Sequence, residues 1–250
     1  MQRYFVSPAD MTDLSVTITG DDANHIAKVM RMEVGDRVIC SDNQGRVALC
    51  EIKQIERDSI YTSIIEPIEE SKESPIRVTI AQGIPKGDKL EAIVQKGTEL
   101  GAQAFLPFSS SRCIVKWDEK KGQKKKQRLE KIAKEAAEQS HRSRIPDVLP
   151  PVSFKSLLKK AADFDYKIVA YEEDAKIGET QRLAKLLNEM APGVSVLCAI
   201  GPEGGLNQQE VDELIEAGFI SCGLGPRILR TETASSYILS AISYHFELMR

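Results

Sequence analysis

The chain has 250 residues, enough for one large or two modest domains with a buried core. Hydrophobic residues make up 42% and charged residues 28%, ordinary values for a globular protein, and the net charge is −3. No apolar run approaches the roughly 18 residues of a membrane span, and the polar start Met1-Gln-Arg-Tyr4 lacks a signal peptide's apolar segment, so the cytoplasm is expected.

Residues 1 to about 70 read as β-rich. Short apolar runs at Tyr4-Phe-Val6 and Val16-Thr-Ile18 predict strands, and Asp21 to Met30 predicts a short helix with acids at its start. Arg37-Val-Ile-Cys40 and Val47 to Ile52 flank the turn residues Ser41 to Arg46, and Ile60 to Ile65 adds a further strand. Several short strands with one small helix predict a compact β-barrel. Glu69 to Pro75 is polar and ends in proline, as a linker does.

From there strand-like and helical runs alternate. Arg77-Val-Thr-Ile-Ala81 precedes a helix from Lys89 to Leu100 that Gly101 stops; Ala104 to Phe108 precedes a long helix from about Lys124 to Gln139. Lys167 to Tyr171 precedes a helix near Thr180 to Met190, and Val194 to Ile200 precedes one starting near Asn207, with Glu210 completing a capping box and Gly218 ending it. This alternation predicts an α/β domain on a mainly parallel sheet.

The five cysteines, Cys40, Cys50, Cys113, Cys198 and Cys222, form no C-x-x-C pair and mostly sit among apolar neighbours, so they read as buried thiols; no metal is expected. Between Lys116 and Lys134 seven further basic residues face three acids, a solvated face or a footprint for phosphates. Gly83 to Lys89 mimics a phosphate-binding loop, but no G-K-[ST] ends it, and ATP is not supported.

Two glycine-bearing turns carry the strongest chemical signal. Gly201-Pro-Glu-Gly-Gly205 follows the run to Ile200, and Leu224-Gly-Pro-Arg-Ile-Leu-Arg-Thr-Glu-Thr-Ala234 opens the last amphipathic stretch. A strand, a glycine turn and a helix let backbone approach a small ligand closely. Arg227 and Arg230 precede the last helix, where Thr231 or Thr233 is placed to cap and Glu232 suits the helix dipole. The apolar stripe Ile238, Leu239, Ile242, Phe246 and Met249 reads as core or as a dimer seam.

These two turns resemble the cofactor site of the SPOUT class of S-adenosylmethionine-dependent RNA methyltransferases. His25-Ile-Ala-Lys-Val-Met-Arg31 through Asp36, Lys96 to Gly101 and Glu135 to Ser140 extend the resemblance to the RsmE branch, which methylates N3 of a uridine in small-subunit (16S) ribosomal RNA. His141 stands where that branch more often has glycine, and Arg142 follows it.

The resemblance implies a PUA-like RNA-binding β-barrel over residues 1–70 and a SPOUT α/β methyltransferase domain with a trefoil knot over 74–250, a fold that no pattern rule predicts. It implies S-adenosylmethionine against Ile200, Gly201, Gly205, Leu224, Gly225, Ile228, Leu229 and Ala234, with Arg230 and Glu232 as catalytic candidates. Arg3, His25, Arg31, Lys124, Lys125, Lys126 and Arg142 are the expected RNA contacts, and a homodimer acting on ribosomal RNA the expected assembly. Two other readings remain open: methylation of a ribose 2′-oxygen on the same fold, and a non-catalytic ribosome-assembly factor that binds RNA through the barrel and the basic run.

Overall fold

A computed structural model describes residues 1–69, 71–115, 117–176, 178–179 and 181–249. Glu70, Lys116 and Thr180, all used in the sequence reading, lie outside the described residues. The chain divides into two compact units, the first of Met1–Glu73 with Lys134–Ile145, the second of Ser74–Ala133 with Pro146–Arg250.

The first unit carries β1 (Arg3–Phe5), β2 (Ser15–Thr19), α1 (Gly20–Asn24), β3 (Arg37–Ser41), β4 (Val47–Ile55) and β5 (Ser59–Pro67). The sheet order is β1-β3-β4-β5-β2. Its end strands leave an open half-barrel where the sequence suggested a compact barrel. Two register shifts between β4 and β5 supply curvature, because an extra residue on one strand bends and twists the pair. Tyr4, Val16, Ile18, Ile26, Val38, Ile52 and Ile60 pack into one hydrophobic cluster. The predicted helix at Asp21–Met30 is split, with α1 passing into a π-helical turn at His25–Val29.

The second unit is a parallel sheet of β6 (Arg77–Gly83), β7 (Ala104–Ser109), β8 (Asp147–Val148), β9 (Val152–Ser153), β10 (Tyr166–Ala170), β11 (Ser195–Ile200) and β12 (Ile220–Cys222). Its order is β12-β10-β11-β6-β7-β8, with β9 also on β7. The helices are α2 (Lys89–Glu99), α3 (Glu119–Gln139), α4 (Phe154–Lys160), α5 (Glu172–Lys176), α6 (Arg182–Glu189), α7 (Gln208–Glu216) and α8 (Thr231–Ser243). The last residues of α3 are counted with the first unit. Strands β6 and β11 are almost wholly buried, as expected of a parallel sheet covered on both faces.

The segment Lys134–Ile145, which the sequence reading placed in the α/β domain, groups with the first unit for a chemical reason. Glu73 accepts hydrogen bonds from Arg142 Nε at 3.2 Å and from the N–H groups of Ser143 and Arg144 at 2.9 and 3.1 Å. Lys134 Nζ meets both Asp22 oxygens at 2.7 Å.

Among the described residues no helix is long and apolar enough to cross a membrane. All five cysteines are buried, and burial pushes the Cys222 thiol up to about 12, so it is not a nucleophile near neutral pH. Ile238, Leu239, Ile242 and Phe246 are buried, which makes that stripe core; Met249 is exposed.

Candidate cofactor site

The first glycine turn leaves the C-terminal end of β11. The Gly205 N–H donates to the Pro202 carbonyl at 2.8 Å, closing the turn on itself. A Cβ at Gly201 would lie 2.8 Å from the Gly205 carbonyl carbon and 2.9 Å from the Leu206 nitrogen, so only glycine fits there. Gly205 sits at φ +68, and a Cβ on it would meet nothing closer than Arg112 Nη1 at 4.0 Å. Its backbone therefore faces open space.

Residues after β7 fasten this turn from outside. Arg112 Nη1 donates to the Gly204 carbonyl at 2.8 Å, and the Glu210 carboxylate accepts the Ser111 N–H at 2.7 Å. Asn207 and Glu210 also form the predicted capping box of α7.

The second turn joins β12 to α8. Arg230 is the N-cap residue, and its carbonyl accepts the N–H groups of Thr233 and Ala234, both at 2.9 Å. No side chain caps this helix, contrary to the expectation for Thr231 and Thr233. The Thr231 hydroxyl instead donates to the Gly201 carbonyl at 2.7 Å.

Between the turns and the end of β10 lies a cavity of about 330 Å³, at the lower end of typical small-ligand sites. Ile200, Gly201, Gly205, Leu224, Ile228, Leu229 and Ala234 line it, and so does Arg230. Gly225 is not among the lining residues, and a Cβ there would instead lie 3.6 Å from Tyr237 Oη. Glu232 is also outside the lining, its carboxylate 3.4 Å from Lys89 Nζ.

Sequence reasoning gave no site role to Lys89, Tyr171, Glu172 or Glu203, all of which line the cavity. Lys89 ends the false phosphate-loop motif and opens α2, and only the return of β6 alongside β11 brings it to the first turn. Lys89 Nζ lies 3.2 Å from Glu203 Oε1. That hydrogen bond holds the ammonium above its usual range, against the cost of partial desolvation. Desolvation acts to raise Glu203, but backbone N–H groups and Lys89 outweigh it and keep the carboxyl below the usual range. Both groups therefore stay charged at neutral pH, and neither is tuned as a proton acceptor there.

These features fit S-adenosylmethionine. Exposed glycine backbone and apolar side chains suit an adenosine, while Glu203 and Lys89 offer charges of both signs for a zwitterionic amino-acid tail and its sulfonium. Among the described residues no group of three or more His, Cys, Asp or Glu side chains is placed to hold a metal ion.

In the first unit the predicted RNA contacts separate into two groups. Arg3 and Arg142 are 6% and 4% exposed, and Arg3 Nη1 donates to the Arg142 carbonyl at 2.6 Å while Arg142 pairs with Glu73. Guanidinium groups so enclosed do not present themselves to phosphates, which corrects the expectation for both. His25 is half-buried with Nδ1 3.0 Å from Tyr4 Oη, and Arg31 is exposed. On α3, Lys124 is exposed, Lys125 lies 3.4 Å from Glu91, and Lys126 pairs with Glu130.

A parallel α/β unit with a cofactor-sized cavity at two glycine turns defines the class, and the comparisons agree. Residues 72–243 match the model of an RNA methyltransferase domain, and residues 18–65 match an RNA methyltransferase PUA domain. The ribosomal RNA small subunit methyltransferase E of Bacillus subtilis is 50% identical over 256 residues, covering 100% of this chain and 99% of the relative. A crystal structure of a hypothetical protein is 48% identical with a TM-score of 0.92, covering both chains fully. The Neisseria gonorrhoeae methyltransferase E, solved bound to S-adenosyl methionine, is 29% identical with a TM-score of 0.85 over 97% of each chain. The chain belongs to the ribosomal RNA small subunit methyltransferase E family.

Proposed function

We propose that this protein transfers a methyl group from S-adenosylmethionine to N3 of a uridine in small-subunit ribosomal RNA. The observation that carries the reading is the cavity between the two glycine turns, with the exposed Arg230 at its edge. Ile200, Gly201, Gly205, Leu224, Ile228, Leu229 and Ala234 hold the cofactor through backbone and apolar contact. The sulfonium supplies an activated methyl group when bound, so the protein's main task is alignment.

Arg230 answers the second requirement. The uracil imide must lose its proton, and negative charge then grows on the flanking carbonyl oxygens. A guanidinium fixed at a helix start stabilises that charge as it forms. Glu232, one residue into α8 and paired with Lys89, holds the ammonium beside Arg230. The target base reaches the cavity unstacked from its neighbours.

The half-barrel, within residues 1–70, is the RNA-binding domain in this reading, and residues 74–250 are the methyltransferase domain with a trefoil knot. His25, Arg31 and Lys124 contact the RNA. The protein works in the cytoplasm as a homodimer, and the exposed Tyr237, Tyr244 and Leu248 near the end of the chain form the seam.

Calorimetric titration with S-adenosylmethionine tests the cavity. Ala234 sits on a helix and lines the pocket, so Ala234→Leu fills the space without straining the backbone. The native protein should bind and the variant, still folded, should not. Equal binding by both would move the cofactor elsewhere.

A further inference from the structure

Gln82 lies near the C-terminal end of β6 and is fully buried. Its amide Nε2 faces Thr231 Oγ1 at 2.8 Å and the carbonyl oxygens of Gly83 and Gly201 at 3.0 and 3.2 Å. Its Oε1 is buried without a hydrogen-bond partner among the described residues. Turning the amide over would set that oxygen against the same carbonyl oxygens, so the neighbours fix its orientation. The Thr231 hydroxyl has one proton, and it goes to the Gly201 carbonyl at 2.7 Å. Gln82 must then donate to Thr231, which passes the chain on to the Gly201 carbonyl, while the second amide proton faces the Gly83 carbonyl.

This small network joins three separate pieces of chain: the end of β6, the first residue of the first glycine turn, and the first residue of α8 beside Arg230. An apolar side chain could fill the Gln82 position without leaving an oxygen unpaired. Buried polar groups that are fully directed by their neighbours specify one arrangement more sharply than apolar packing does. Another link between the turns, Lys89 between Glu203 and Glu232, is partly exposed, and such ion pairs contribute little.

We propose that Gln82 and Thr231 are positioning residues that latch the two glycine turns into one cofactor cavity and so hold Arg230 in register with it. The proposal rests on the reading of that cavity as the S-adenosylmethionine site. Neither side chain needs to touch the reacting atoms. Each acts through the backbone it fixes: Gly201 for the cofactor, the start of α8 for Arg230.

The test compares Thr231→Val, which keeps the shape and loses the hydroxyl, with Thr231→Ser, which keeps the hydroxyl. Ser221→Ala is the control, because it removes a buried hydroxyl bonded to Asp174 in the same unit but outside the cavity lining. Melting temperature, cofactor Kd by calorimetry, and kcat and KM for methyl transfer are read for each. Thr231→Val should weaken S-adenosylmethionine binding about tenfold or more and lower kcat in addition. Thr231→Ser should restore both to near native values, and Ser221→Ala should leave both unchanged whatever it does to the melting temperature. Gln82→Met, which removes the donor from the other end, should repeat the valine result if that variant does not fold. Native Kd and kcat in Thr231→Val, or in a folded Gln82→Met, would overturn the latch. A native protein that bound no S-adenosylmethionine would overturn the cofactor reading itself, and the latch with it.

Discussion

Two arginines of the first unit and two of the second meet different fates. In the first unit Arg3 and Arg142 are buried, tied to a backbone carbonyl and to Glu73. In the second, Arg227 and Arg230 are exposed and line a cavity. All four sit in segments that the sequence reading singled out. The difference lies in partners: a guanidinium whose carboxylate or carbonyl partner is supplied by its own chain holds a fold together, and one left without such a partner is available to a ligand.

The largest expected effect lies on the cavity side of that comparison. Arg230→Ala should lower turnover about a hundredfold to a thousandfold, the usual loss for a preorganised donor to developing charge. Cofactor affinity and melting temperature should stay near native, because the side chain is exposed and caps nothing. Native turnover would place Arg230 with the structural arginines.

On the buried side the expected loss is of stability. The Arg142 and Glu73 side chains are 5% and 21% exposed, and breaking such a pair from one end leaves a charge without its partner. Arg142→Met should destabilise the protein by about 3 kcal/mol in denaturant unfolding. A change below about 1 kcal/mol would mean the pair behaves as a surface contact.

The same pair sets a pH dependence. Burial raises the Glu73 carboxyl, but Arg142 and the N–H groups of Ser143 and Arg144 outweigh it and leave it below its ordinary value of 4.5. A carboxyl depressed in the folded state contributes stability that is complete above 4.5 and fades as pH falls through the folded value. Unfolding followed from pH 7 downward should lose stability below about 4.5, and Glu73→Gln should show a shallower acid slope. Identical slopes would remove Glu73 from the acid response.

The smallest effect belongs to the lysine run. Of the three lysines expected to contact RNA, Lys125 and Lys126 already face Glu91 and Glu130, while Lys124 is wholly open to phosphate. Changing all three to glutamine should reduce the salt dependence of RNA binding by about one unit of slope and leave cofactor affinity intact. An unchanged slope would make the run a solvated face.

Local pattern explains how much of this was legible. The hairpin around Ser41–Arg46, the capping box at Asn207 and Glu210, and the parallel alternation all rest on neighbours in sequence, and the structure has them. The short strands β8 and β9, of two residues each, carry no periodicity to read. What the sequence could not reveal is pairing across distance. Arg142 reads as an RNA contact until Glu73 is found beside it, and Thr231 reads as a cap until the Gly201 carbonyl is found in reach. Lys89 was hidden for the same reason, since its partners lie more than a hundred residues away. The glycines were legible because their constraint is their own backbone: a close approach at Gly201 and a positive φ at Gly205.

The most direct test of the central claim is nucleoside analysis of small-subunit ribosomal RNA, lacking the modification, after incubation with the protein and S-adenosylmethionine. Digestion and mass spectrometry should find a single new species, uridine methylated on the base at N3, formed only when both cofactor and protein are present. A methyl group on a ribose 2′-oxygen, or RNA left unmethylated by a protein that binds it, would contradict the account.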